Sequence, residues 1–178
     1  MAEEILAFWF KETDRRKWWV VDPAFDDLLR TRFQGHLLRA VAGELSSWRK
    51  NARGRLAEII VLDQFSRHIH RGTPRAFSQD PQALALSQEA VAAGALLELG
   101  EEERAFLLMP YMHSESRLVH VQAESLFRQF TSTNSYEFEL RHKAIVDGFG
   151  RYPHRNGILG RTSSDAEIEF LRQPGSSF

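Results

Sequence analysis

Apolar positions recur at helical spacing along almost the whole chain. Residues 3–10 form a short apolar opening helix. Phe25, Leu29, Phe33, Leu37 and Ala40 then fall on one stripe that runs to about Val41, with Gly43 just beyond it. Asp22-Pro23 is the start signal: the Asp carboxylate accepts from free amides of the first turn, and the proline ring presets the helical φ. A third helix is predicted from about Arg53 to His70. Asp80-Pro81 repeats the start signal for a fourth, with Asp80 as its cap, and Gly94 closes it. The fifth begins near Glu101 and is interrupted at Pro110, which removes a donor and crowds the preceding turn. A sixth covers about Glu115–Phe130, with Ser114 as its N-cap, and a seventh about Ser135–Phe149. A short last helix follows Ser164, with Glu167 as capping-box partner. No stretch sustains period-two alternation. The pattern predicts an all-α fold of about 7–8 helices packed as a compact array of antiparallel hairpins. Its irregular period argues against a regular solenoid.

Composition narrows the function classes. The length of 178 residues suits one domain spanning 1–178. A net charge of -1 argues against a nucleic-acid binder that relies on bulk positive charge, and leaves room for a local basic patch. The absence of cysteine excludes disulfides, thiolate nucleophiles and cysteine-held metals. No run approaches the ~18 apolar residues of a membrane span, and the acidic start lacks the basic segment of a secretory signal. A cytoplasmic protein with no membrane association and no evident cofactor is the expectation. The basic residues are skewed, with 19 Arg against 4 Lys. GC-rich codon usage accounts for such a bias in general, yet six arginines fall within residues 64–77 and 151–161.

Candidate chemistry lies in five places. The third helix is apolar around most of its circumference, as a central helix should be. Asp63, Arg67 and His70 nevertheless share one arc of ~60° on it. Asp63 and Arg67 stand at i,i+4, where they form either a register-fixing salt bridge or a ligand-facing pair. Gln64 neighbours them. Arg71-Gly-Thr-Pro-Arg-Ala-Phe77 adds Arg71 and Arg75 around a turn, to bind carboxylate or phosphate or to cap the helix end. Met109-Pro-Tyr-Met-His-Ser-Glu115 places His113 beside Glu115, a minimal acid–base pair. His142 sits on the apolar face of the seventh helix, either as a satisfied core residue kept neutral by burial or as a functional one. The run Phe149–Arg161 gathers Arg151, His154, Arg155, Asn156 and Arg161 between glycines. No Gly-Lys-Ser/Thr follows, so it is not a phosphate-binding P-loop. None of the histidines stands at a close metal-ligand spacing, and no metal site is expected.

These segments, taken in order, resemble a bacterial family of uncharacterised proteins, domain of unknown function 924. The words that carry the resemblance include Ile5-Leu-Ala-Phe-Trp-Phe10, Trp18-Trp19-Val-Val-Asp-Pro-Ala-Phe25, Leu62-Asp-Gln-Phe-Ser-Arg67, Arg151-Tyr-Pro-His-Arg-Asn156 and Pro174-Gly-Ser-Ser-Phe178. The resemblance implies an all-α, tetratricopeptide-like fold and brings no established reaction. Ser66 stands where the family pattern leads one to expect proline, which could alter the helix end.

Three function classes remain open at this level. The first is a binding domain whose Asp63, Gln64, Arg67, Arg75, Arg151, His154, Arg155, Asn156 and Arg161 line a cleft for a small anion or an acidic peptide end. The second is a hydrolase-like enzyme in which His113, Glu115, His142 and His154 supply acid–base or metal-assisted chemistry. The third is a scaffold that meets protein partners through its helical face or through Trp9, Trp18 and Trp19.

Overall fold

A computed structural model describes residues 1–177; Phe178, the last residue of the terminal Pro-Gly-Ser-Ser-Phe word, lies outside them. Among the described residues every regular element is helical. Helix α1 (Ala2–Ala7) continues into a π-helical turn, Phe8–Glu12, and a 3-10 turn follows at Arg15–Trp18. Helix α2 spans Pro23–Val41. A central run comprises α3 (Ala52–Ile60), a π-helical turn (Val61–Phe65) and α4 (Ser66–Ile69). Then come α5 (Asp80–Ala92), α6 (Ala95–Glu98), α7 (Glu101–Met112), α8 (Arg117–Phe130) and α9 (Thr133–Phe149). A 3-10 turn at Pro153–Arg155, α10 (Asn156–Leu159) and α11 (Asp165–Leu171) complete the order. Three of the eleven α-helices, α4, α6 and α10, are only four residues long. One turn of helix shows no periodicity, so the pattern that anticipated seven or eight helices could not have revealed these.

The start signals act as read at two sites and differently at a third. The Asp22 carboxylate accepts from Ala24 N at 3.0 Å and Phe25 N at 3.1 Å. Ser164 and Glu167 form the reciprocal capping box. Asp80, expected as the cap of its helix, is instead the first residue of α5, and Gln79 occupies the cap position. Its carboxylate is engaged by two arginines described below. Pro110 does not interrupt α7, which runs on to Met112. It lies in the last turn, where the missing N–H costs a single ladder bond and the helix has little further to go. The sixth predicted helix begins at Arg117 with Ser116 as N-cap; the Ser114 hydroxyl accepts from Ser116 N at 3.2 Å, ahead of the helix.

The central run is the spine. Leu56 through Phe65 are all buried, including Glu58, Asp63 and Gln64. It packs against α1, α2, α5 and α7, while α7, α8 and α9 pack in succession. A four-residue connection between α7 and α8 makes that pair antiparallel. An aromatic cluster fills the N-terminal half: Trp9, fully buried, stacks on Trp18 at 5.7 Å and meets Phe106 edge-on at 5.6 Å. Gly54 shows how tightly the spine is held. A Cβ there would lie 1.9 Å from the Trp48 carbonyl oxygen, inside any van der Waals contact. Gly54→Ala is therefore expected to destabilise by about 1–3 kcal/mol, as overpacking against rigid backbone does. Urea denaturation checks it; an unchanged midpoint would show that the Trp48 turn yields freely.

Candidate functional site

The π-helical turn in the spine positions the first site residues. One extra residue in a helical turn shifts the faces that follow and frees backbone groups locally. Asp63 and Gln64 sit in this turn, buried in the spine, where a carboxylate needs partners. It has three. Arg67 Nη1 lies 3.0 Å from Asp63 Oδ1, His113 Nδ1 lies 2.7 Å from the same oxygen, and Gln64 Nε2 donates to Oδ2 at 2.5 Å. Burial pushes the Asp63 carboxyl up, but Arg67, His113 and Gln64 outweigh it and hold the group well below the usual carboxylate range. The ionised carboxylate accepts, so the His113 Nδ1 carries the proton. Nε2 is then the basic nitrogen of a ring that lines the cleft.

Arg67 links this group to the next. It makes a bidentate contact with Asp80 at 2.9 and 3.0 Å, and Arg155 Nη1 reaches Asp80 at 3.2 Å. The Arg155 guanidinium is held between two rings, 4.7 Å from Phe77 and 4.6 Å from Tyr152, and donates to the His113 carbonyl at 3.1 Å. Burial and the neighbouring Arg67 charge lower its pKa. The Tyr152 hydroxyl donates to the Met112 carbonyl at 2.5 Å and lies 3.2 Å from His120 Nε2. The opposite nitrogen of His120 is 2.7 Å from Glu139, with both side chains fully buried. This inner network fixes the ring against which Arg155 is stacked. On the other side, Asp26 is gripped by Arg71 at 2.6 and 2.9 Å and lies 2.8 Å from His68 Nδ1.

These groups border one cleft of about 320 Å³. Its polar wall is made by Arg67, Arg71 and Arg155 with His68, His113, His142 and His154. Trp18, Trp19, Val20, Val21, Phe77 and Ile158 give it an apolar wall. Trp19 is 65% exposed and Val21 71%, which makes them a hydrophobic rim. Among the described residues no carboxylate lines the cleft: Asp26, Asp63 and Asp80 stand behind the basic groups they pair with. A second hollow of about 450 Å³ adjoins it and shares Phe77, His113 and Arg155; Asp80, Ser114 and Glu115 line that side.

The sequence candidates divide accordingly. Gln64, Arg67, His113, His142, His154 and Arg155 line the main cleft, and Asp63 lies directly behind it. Glu115 lines the second hollow, where it receives both terminal nitrogens of Arg161 at 2.6 and 2.9 Å. Arg161 also donates to Asn156 Oδ1 at 2.9 Å, so those three residues tie the 150–161 loop to the connection between α7 and α8. Arg151 pairs with Glu167 at 2.7 and 2.9 Å and clamps α11. Arg75 is exposed and lines neither hollow. His70, expected on the arc of Asp63 and Arg67, follows the end of α4 and also lies off the cleft. Arg71, read from the sequence as a possible carboxylate or phosphate binder, lines the cleft, and so do His68 and Tyr152, which the sequence did not single out. Asp26, the partner of Arg71 and His68, lies in α2, a pairing that spacing does not reveal.

Burial dominates the titration of the cleft histidines. It pushes His142 down to about 3 and His154 to about 4 from an ordinary 6.5, and it lowers His113 and His68 as well. A histidine depressed in the folded state takes up a proton on unfolding once the pH is below its unfolded value. Stability is therefore full above about pH 6.5 and is lost as the pH falls toward 4 and then 3. The unfolding temperature should drop steadily between pH 7 and pH 4.5. A flat profile across that window would show that these imidazoles are not desolvated.

A family model described as a bacterial protein of unknown function, DUF924, matches residues 5–175. A solved structure of a protein of unknown function from Agrobacterium tumefaciens, ATU0120, has a TM-score of 0.90 with this chain at 34% sequence identity, over 96% of each chain. No curated protein matches. Among the described residues no helix is long and apolar enough to cross a membrane.

Proposed function

We propose that this chain, which belongs to the DUF924 family of bacterial proteins of unknown function, binds a small organic anion in the cleft of Arg67, Arg71 and Arg155. One observation carries the reading: the cleft wall presents guanidinium and imidazole groups, and the compensating carboxylates are all behind it. Such an arrangement offers donors forward while the local charge stays balanced. Three arginines against Asp26, Asp63 and Asp80 leave no net excess, which suits a singly charged ligand better than a phosphate dianion. Most guanidinium donors are already engaged. Arg71, with a side chain 34% exposed, uses Nε and one terminal nitrogen on Asp26 and keeps the other for a ligand. The volume of about 320 Å³ fits a small molecule rather than a folded partner, and the Trp18–Val21 rim favours an apolar or aromatic body on the anion.

The test uses 4-methoxybenzoate, a flat monocarboxylate. Calorimetry should give saturable one-site binding, accompanied by a rise in unfolding temperature through mass action. Arg71→Ala should weaken binding about tenfold or more, because a charge-assisted hydrogen bond contributes about 1.5 kcal/mol or more. Absence of binding at millimolar concentration, or equal affinity in Arg71→Ala, contradicts the reading.

A further inference from the structure

We infer that the cleft is catalytic: His113, oriented by Asp63, is a general base that activates water to hydrolyse an ester carried on a monoanionic carboxylic acid. The inference rests on the binding reading above and adds a reaction to it.

The geometry supplies each part. The Asp63 oxygen that accepts from His113 Nδ1 at 2.7 Å fixes the tautomer and leaves Nε2 as the basic nitrogen of a ring that lines the cleft. Among the described residues no serine, threonine or cysteine lines that cleft, and the Tyr152 hydroxyl is spent on the Met112 carbonyl. The nucleophile is therefore water, the one reactant always at hand. Arg67 shares the same Asp63 oxygen with His113, and Arg155 donates to the His113 backbone carbonyl, so both guanidinium groups are held at residue 113. They are placed to stabilise an oxyanion that forms beside it. Arg71, which lines the cleft beside His68, takes the substrate carboxylate, and Trp18 and Trp19 take its apolar body.

In the reaction His113 Nε2 removes a proton from water as the water oxygen bonds to the ester carbonyl carbon. The carbonyl electron pair moves onto oxygen beside Arg67 and Arg155. Collapse of the tetrahedral intermediate breaks the bond to the alcohol oxygen, which takes the proton back from the imidazolium. Ester and water become acid and alcohol, and His113 ends neutral. Asp63 touches no substrate and is a positioning residue.

Groups from every neighbouring element set the pH response of His113. Asp63 and Arg67 come from the spine, Asp80 from α5, His142 from α9, and His154 and Arg155 from the 3-10 turn at Pro153–Arg155. Burial and Arg67 keep the imidazole neutral to lower pH than usual. The rate should accordingly be flat through neutral pH and fall in acid, below the ordinary histidine value.

The probes are 3- and 4-acetoxybenzoate, with 4-methoxybenzoate as the unreactive analogue. Saturable release of hydroxybenzoate from either isomer is expected. His113→Gln and Asp63→Asn should each lower kcat by roughly 10²–10⁴-fold with KM little changed, while His70→Gln, outside the cleft lining, keeps the full rate. Retention of 4-methoxybenzoate binding by the two variants shows that each still folds its cleft. Turnover that survives His113→Gln, or no turnover of either ester by a protein that binds 4-methoxybenzoate, overturns the catalytic inference alone. Failure of the wild-type protein to bind 4-methoxybenzoate overturns the binding reading with it.

Discussion

Asp63→Ala is expected to lower the unfolding free energy by about 3–5 kcal/mol, the cost of breaking a buried ion pair from one side. The carboxylate is 1% exposed and holds Arg67, His113 and Gln64 together. Its removal leaves Arg67, with a side chain only 18% exposed, to Asp80 and the backbone carbonyl of residue 63, and takes away the acceptor of His113 Nδ1. Stabilities of whole domains lie at about 5–15 kcal/mol, so a loss of this size approaches unfolding at ambient temperature. Guanidinium denaturation measures it directly. Adding Arg67→Met to the same chain should recover part of the loss, since the orphaned charge is then gone. A double-mutant coupling near zero would mean that the pair is dispensable.

Tyr152→Ala should be comparably severe, at about 3–5 kcal/mol, because a large buried ring leaves a cavity that the backbone cannot close. Its effect reaches further than packing. The fully buried ring is one of the two plates that hold Arg155, and it lies 5.8 Å from His142 and 5.6 Å from His154. The hydroxyl joins the Met112 carbonyl to His120 and, through it, to Glu139. Tyr152→Phe separates the two contributions. It keeps the plate and leaves the Met112 carbonyl short of a donor, at about 1–3 kcal/mol. The alanine variant should therefore lose both stability and 4-methoxybenzoate binding, and the phenylalanine variant stability only. Equal binding losses in the two would assign the anion contact to the hydroxyl.

How far the chain announced this arrangement depends on the range of each interaction. Local signals were readable: Asp22 capping α2, Ser164 with Glu167 capping α11, and the apolar circumference that marks the spine. The i,i+4 pair Asp63–Arg67 was visible for the same reason. What joins these residues to a site is long-range. His113 lies 50 positions from Asp63, and Arg155 lies 75 positions from Asp80. A start signal such as Asp80-Pro81 invites a capping reading, since nothing nearby reveals two arginines competing for the carboxylate. The arginine excess illustrates the same limit. Of the six guanidinium groups in the two enriched segments, Arg67, Arg71 and Arg155 line the cleft, Arg151 and Arg161 hold loop to helix, and Arg75 stands exposed.

The seven histidines allow the most direct test. Four of them, His68, His113, His142 and His154, line the cleft, while His36, His70 and His120 do not. Imidazole resonances assigned in a heteronuclear NMR spectrum can be followed as 4-methoxybenzoate is added at pH 7.5. The cleft predicts that the four lining signals shift together along one saturation curve and that the other three stay in place. Unmoved lining signals at saturating ligand, or a uniform drift of all seven, would contradict an anion site in this cleft.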